Sequence, residues 1–269
     1  MTTGTVANDL TGRVLAGRYR LIAPIGAGAG ARVFVADDVR LRRQVAVKVL
    51  HASLAEDAAF LRRFRAEAQV AASLHHPNIV SVYDWGEDGV PFIVLELLAG
   101  GSLRGVLDRG LRLSPEQAAR LGRQITSGLE YAHTRGVVHR DIKPANLLFD
   151  ERGVPRIADF GLAGALAEAS WTEPQGTVVG TARYAAPEQG NGARPDGRAD
   201  LYSVALVLVE AVTGRVPHLA DTPLGTLGTR LREPIVAPSE FGSLGPVVER
   251  AGRPDPDARY PDAATMGEG

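Results

Sequence analysis

The chain has 269 residues, 45% hydrophobic and 23% charged, the balance of a folded globular protein large enough for one big domain or two lobes. A formal net charge of -1 argues against a general nucleic-acid footprint, and the absence of cysteine excludes a disulfide framework and thiolate metal sites. The apolar run Val204 to Val212, broken only by Glu210, is too short to span a bilayer, and residues 1–17 lack the basic start and apolar core of a secretory leader, so a cytoplasmic location is expected.

Residues 1–17 read as a flexible N-terminal segment. From Tyr19 to Leu50 the apolar residues Leu21, Ile25, Val33, Val35, Val45, Val47 and Val49 largely alternate around turns, which predicts strand, glycine turn, strand, turn, strand. The turn Gly26-Ala27-Gly28-Ala29-Gly30-Ala31 would let backbone N–H groups approach a phosphate chain, although a plain glycine hairpin accounts for the isolated motif equally well. A helical period between Glu56 and Ser73 puts Phe60, Phe64, Glu67 and Ala71 on one face. Lys48 ends the apolar strand Val45-Ala46-Val47. A charge on each apolar face needs a buried partner, so Lys48 and Glu67 would satisfy each other, unless Glu67 is exposed and pairs with Arg63 one turn earlier.

Ile79 to Tyr83 and Phe92 to Leu95 read as two more strands. Leu98-Ala99-Gly100-Gly101 breaks the pattern and separates a small lobe, 18–98, from a larger one, 99–269. In the larger lobe Ser114, Pro115 and Gln117 form a capping box ahead of a helix through Ala118, Leu121, Ile125, Leu129 and Ala132. Val137-Val138, Leu147 to Phe149 and Arg156 to Ala158 read as short strands flanking loops. Gly164 to Thr177 is rich in small residues and has no period. A final helical pattern begins at Ala263 to Met266 and stops at Gly267, which reads as a last helix cut short in a fragment of a longer chain. His75-His76 invites a metal reading, but before Pro77 and Asn78 a structural turn is the simpler expectation.

Taken in order, the glycine turn, Val45-Ala46-Val47-Lys48, helical Glu67, His139-Arg140-Asp141 with Asn146 beyond it, Asp159-Phe160-Gly161 and Ala186-Pro187-Glu188 resemble the protein-kinase signature set. That resemblance implies an α+β, two-lobed protein-kinase-like fold: a small antiparallel β-sheet lobe with one regulatory helix, and a larger, mainly helical lobe. It also implies ATP between the lobes and transfer of the γ-phosphoryl group to protein hydroxyls.

Roles then carry over residue by residue, as the resemblance implies them. Ile25, Gly26, Ala27, Gly28 and Val33 would cover the nucleotide, with Ala46, Leu95, Glu96, Leu98 and Leu148 completing the ATP-binding set. Lys48, oriented by Glu67, would hold the first phosphates. Asn146 and Asp159 offer hard oxygens to Mg²⁺, with Mn²⁺ as the alternative ion. Asp141 would take the acceptor hydroxyl proton while Lys143 neutralises the moving phosphoryl group. His139 and Phe160 would position these loops, Glu188 would pair with Arg259, and Asp200 would brace the catalytic loop. Lys143 and Thr181 resemble the Ser/Thr rather than the Tyr branch. Arg140 beside Asp141 resembles kinases switched by phosphorylation, with Thr172 and Thr177 as the candidate phosphosites. Implied partners are protein substrates and a second copy through the small lobe, with no nucleic acid and no membrane span.

Ala31 stands where the family usually has a third glycine, a departure that weakens the grip on phosphate. A pseudokinase would show erosion at Lys48, Asp141, Asn146 or Asp159, and an aminoglycoside-type kinase would lack Ala186-Pro187-Glu188; neither holds here. Of 30 basic residues only Lys48 and Lys143 are lysine, and both fall in motif positions. An arginine-rich, lysine-poor composition with Thr181 to Gln189 resembles actinobacterial receptor-like kinases. The bias toward arginine makes the survivors informative, because a compact ammonium on a flexible stem does what a planar guanidinium cannot.

Overall fold

The computed structural model describes residues 10–28, 30–51, 58–160, 182–190 and 195–269, with the backbone alone at 58–60, 63 and 67. Packing divides the chain into two units, one made of residues up to Ala68 together with Ser81–Leu97, the other of Gln69–Val80 and Leu98–Gly269.

The first unit is a six-stranded antiparallel sheet. In chain order its strands are β1 (Val14–Leu15), β2 (Tyr19–Ala27), β3 (Ala31–Asp38), β4 (Arg43–Leu50), β5 (Val82–Glu87) and β6 (Pro91–Leu95), arranged β1-β2-β3-β4-β6-β5. Alternation sorts the two faces. Leu21, Phe34, Val45, Val47, Val49, Phe92 and Val94 form one buried cluster with Leu15 and Tyr19. The register Val33↔Lys48↔Ile93 and Val35↔Ala46↔Leu95 puts these residues on the opposite face. Helix α1 (Ala58–Ala72) follows β4 and buries Phe64, Ala68 and Ala71; of the expected apolar face Phe64 and Ala71 are buried, and the Phe60 and Glu67 side chains lie outside the described residues.

At the outer turn of this sheet Arg18 grips the fully buried Asp38 with two bonds, Nε to Oδ1 at 2.8 Å and Nη2 to Oδ2 at 2.7 Å. That side-chain hydrogen bonding holds the Asp38 carboxyl down to about 2 despite its burial.

The second unit is mainly helical. It contains α2 (Leu103–Asp108), α3 (Pro115–His133), α4 (Gly197–Thr213), α5 (Pro223–Arg230), α6 (Gly245–Ala251) and α7 (Ala263–Glu268), with a small antiparallel pair β7 (Leu147–Phe149) and β8 (Pro155–Ile157). Helix α3 starts as expected: the Ser114 hydroxyl accepts from the Gln117 N–H and the Gln117 side chain accepts from the Ser114 N–H. Helix α4 is buried all round from Ala199 to Ala211, so it is the core against which α3, α6 and α7 pack. It stops at Gly214, whose φ of 78° closes the last turn onto the Glu210 carbonyl.

One expected strand is absent and another is displaced. Val137-Val138 is irregular, because the Val137 N–H closes the end of α3 on the Ala132 carbonyl at 3.0 Å. Ile79 makes a single parallel bridge to Ile157, and β5 begins only at Val82. A short apolar run fits a buried loop as well as a strand, and only the nonlocal partner decides. His76 is structural, as expected: its Nδ1 accepts from the Asn78 N–H at 3.1 Å and its ring packs on Tyr131.

Candidate active site

In the first unit, Val33, Ala46, Lys48 and Leu95 share the sheet face opposite the apolar cluster, with Gly26 opposite Val33. Lys48 is buried there, and Ile25 is 55% exposed on the far end of β2. Gly28 donates to the Ala31 carbonyl at 2.9 Å. Neither Gly26 nor Gly28 has a positive φ, and a Cβ on Gly28 would meet no protein atom within 4 Å. The chain's own conformation therefore does not demand glycine at these two places, which favours the reading that something outside the chain approaches the backbone there. Glu96 holds Ser81 through both backbone and carboxylate, the carboxylate accepting from the Ser81 N–H at 3.3 Å. The Glu67 side chain, and with it the expected pairing to Lys48 or to Arg63, lies outside the described residues.

In the second unit the loop from His139 to Asn146 is held from below. Asp200, in the first turn of α4 and 1% exposed, accepts from the His139 N–H at 2.8 Å, the Arg140 N–H at 2.7 Å and His133 Nε2 at 2.8 Å. An anion at a helix N-terminus is favoured by the macrodipole, and here it also anchors Arg140 at a φ of 65°. This is the brace expected of Asp200; His133 as a third donor to it was not foreseen. His139 donates Nε2–H to the Ala158 carbonyl at 2.8 Å and accepts the Asp141 N–H on Nδ1 at 3.1 Å, which fixes the neutral Nε2–H tautomer. Its ring meets Phe160 edge-on, with centroids 4.7 Å apart.

Those contacts aim the reactive groups. Asp141 Oδ2 accepts from Lys143 Nζ at 2.6 Å and from Asn146 Nδ2 at 3.2 Å, and Nδ2 also bonds the Asp141 carbonyl at 2.9 Å. The Asn146 amide nitrogen is thus committed, and its carbonyl oxygen is the atom left to offer a cation. Asp159, at a φ of 62°, follows Ala158, whose N–H is bonded to the backbone carbonyl of Asn146 at 2.8 Å. One carboxylate and one amide oxygen are the sparse, hard donor set that fits Mg²⁺, which takes its remaining ligands from phosphate and water. Leu98 and Leu148 are half-buried nearby in sequence to the Gly100–Phe149 backbone pairing.

Glu188 and Arg259 pair as expected, at 2.8 Å through both oxygens. All five Arg259 N–H groups are used, the other three on the carbonyls of Arg253, Arg198 and Pro254. Glu210, on α4 and 2% exposed, collects the Tyr184 hydroxyl at 2.6 Å and Arg104 Nη1 at 2.8 Å. Burial, then the bond to Glu210, pushes Tyr184 up to about 12, so it remains a donor at neutral pH. This acidic hub was missed in the sequence, where Glu210 only interrupts an apolar run. Thr172, Thr177 and Thr181 lie outside the described residues.

Comparison with known proteins agrees with this geometry. The model of the protein kinase domain family matches residues 19–237. A probable serine/threonine-protein kinase of Streptomyces coelicolor is 44% identical over 94% of this chain and 39% of its own length. The serine/threonine-protein kinase PknB of Mycobacterium leprae is 39% identical over 94% of this chain and 42% of its own. Among solved structures, the kinase domain of Mycobacterium tuberculosis PknI superposes with a TM-score of 0.73 at 29% identity, covering 96% of each chain. The chain belongs to the protein kinase domain family, with the antiparallel-sheet and helical parts that define its fold. It spans about two-fifths of the length of these curated relatives. Among the described residues no helix is long and apolar enough to cross a membrane.

Proposed function

We propose that this domain transfers the γ-phosphoryl group of ATP to serine or threonine hydroxyls of protein substrates. The observation that carries the reading is the Asp141–Lys143–Asn146 cluster. One carboxylate oxygen of Asp141 is occupied by an ammonium and an amide, which leaves the other to orient an acceptor hydroxyl and take its proton. Lys143 then sits where negative charge moves from the leaving phosphate toward the acceptor. Mg²⁺ held by Asn146 and Asp159 would neutralise the phosphates of the bound nucleotide. Lys48 anchors the nucleotide phosphates under the orienting charge of Glu67. Gly26, Ala27 and Gly28 let the backbone come close to those phosphates, while Ile25, Val33, Ala46, Leu95, Leu98 and Leu148, with the backbone of Glu96, form the adenine contacts.

The test is transfer from γ-labelled ATP and magnesium to casein, with an aminoglycoside as the competing acceptor. Label on casein supports the proposal, and label on the aminoglycoside alone, or on neither, contradicts it. Phosphopeptide mass spectrometry of the same reaction is expected to find Thr172 or Thr177 modified, a site for Arg140, whose Nε is buried with no hydrogen bond among the described residues. Neither threonine modified would remove that element. The domain is further read as cytoplasmic and as pairing with a second copy through its small lobe.

Both lysines are expected to resist conservative exchange. Lys48→Arg and Lys143→Arg should each lower kcat/KM at least about tenfold with an unchanged circular dichroism spectrum. Near-normal rates in either variant would remove that lysine from the mechanism.

A further inference from the structure

Arg230 ends α5, an eight-residue helix, and yet it is 0% exposed. Its guanidinium makes no ion pair among the described residues. It faces backbone carbonyls instead: Nη1 donates to Ala182 at 2.9 Å and Ala185 at 2.8 Å, and Nη2 to Arg183 at 2.6 Å and Pro217 at 3.4 Å. Its Nε has no hydrogen-bond partner among the described residues, whereas every N–H of the buried Arg259 is bonded. Burial without a carboxylate pulls Arg230 below the ordinary arginine value.

A buried cation lacking a counter-ion is costly, and charge-assisted bonds to a converging set of carbonyls are what offsets the cost. Three of those carbonyls belong to the stretch Ala182–Ala185, immediately before Ala186-Pro187-Glu188. The same stretch is tied to the catalytic loop, because Gln189 Oε1 accepts from the Ala186 N–H at 2.9 Å and its Nε2 donates to the Arg140 carbonyl at 3.0 Å. Residues 182–185 are thus fixed from beneath by Arg230 and held at a set distance from Asp141 by Gln189. A protein acceptor that brings a hydroxyl to Asp141 must lay its flanking chain on the surface beside it. A small-molecule acceptor needs no such surface.

We infer that Arg230 is a positioning residue for the protein acceptor: it holds the mostly buried stretch Ala182–Ala185, and with it the partly exposed Arg183, so that the surface beside Asp141 keeps the shape on which the acceptor chain docks, and it touches neither ATP nor the transferring group. This rests on the protein-kinase reading above. A lysine at this place keeps the charge but, as a single point donor, cannot serve carbonyls fanned across two Nη atoms.

The experiment compares wild type, Arg230→Lys and Arg230→Met in steady-state transfer from ATP to casein, each variant checked by its thermal midpoint. Both substitutions are expected to raise KM for casein at least about fivefold, while KM for ATP and kcat at saturating casein stay within about twofold. Should Arg230→Met fail to fold, Arg230→Lys alone decides. An unchanged KM for casein, or a KM for ATP that rises in step with it, would overturn the inference, since a merely structural role moves both sides or neither. Wild-type protein that labels no casein would instead remove the kinase reading, and this inference with it.

Discussion

In the Asp141→Asn variant, kcat for phosphoryl transfer is expected to fall by about 10²–10⁴-fold, the usual contribution of a positioned general base. The size of the effect follows from what the carboxylate holds. Lys143 Nζ lies 2.6 Å from Oδ2, and Asn146 Nδ2 bonds both that oxygen and the Asp141 carbonyl. An amide at position 141 keeps the shape but loses the charge that fixes Lys143 and the basicity that takes the proton. The loop itself should survive, because its backbone hangs from Asp200 and His139 rather than from the Asp141 side chain. KM for ATP should therefore change by less than about threefold, which separates lost chemistry from lost binding. A loss of kcat smaller than tenfold would show that Asp141 is not the proton acceptor.

The second large effect is on stability. Glu188→Ala is expected to cost about 3–5 kcal/mol in chemical denaturation, the range for breaking a buried pair by removing one partner. Arg259 has a side chain with 0% exposure, so its charge cannot escape to water when the carboxylate goes. Its three remaining bonds are to carbonyls, which satisfy N–H groups without supplying a counter-charge. Because Glu188 follows the residues held by Arg230, the loss should also loosen the stretch Ala182–Ala185. A cost below about 1 kcal/mol would mean that water reaches Arg259 in the variant, and that the pair is not the closed element described.

Local signals in the sequence carried furthest. The Ser114-Pro115-Gln117 box marks the start of α3 because capping involves only residues within one turn of each other. The sheet alternation was equally legible, since a period of two sorts Phe34, Val45 and Val47 from Val33, Ala46 and Lys48 without knowledge of the partner strand. Ile79 and Val137 were misread for the opposite reason: each is apolar in a short run, and its true partner, Ile157 or the end of α3, is nonlocal or outside the run. Glu188, Arg259 and Asp200 were found through the family resemblance, not through any local pattern. Arg230 carried no signal at all. An arginine at the C-terminal end of a helix reads as a solvated charge favoured by the macrodipole, and only the fold reveals that it is buried under three carbonyls from residues some fifty positions earlier. His133 was invisible likewise, because its bond to Asp200 joins two helices distant in sequence.

The arginine-rich composition sharpens the case for the two lysines. Positions at which a fork of donors is useful hold arginine: the half-buried Arg18 on Asp38, and the buried Arg259 on Glu188 and Arg230 on a set of carbonyls. Lys143 does something else, placing a single short contact on one carboxylate oxygen beside the reacting groups.

The most direct test of the central claim is phosphoamino-acid analysis. Wild-type protein is incubated with γ-labelled ATP, magnesium and casein, the labelled product is acid-hydrolysed, and the phosphorylated amino acids are separated. Label in phosphoserine and phosphothreonine that disappears with Asp141→Asn is the predicted result, and label confined to phosphotyrosine, or undiminished in the variant, would contradict it.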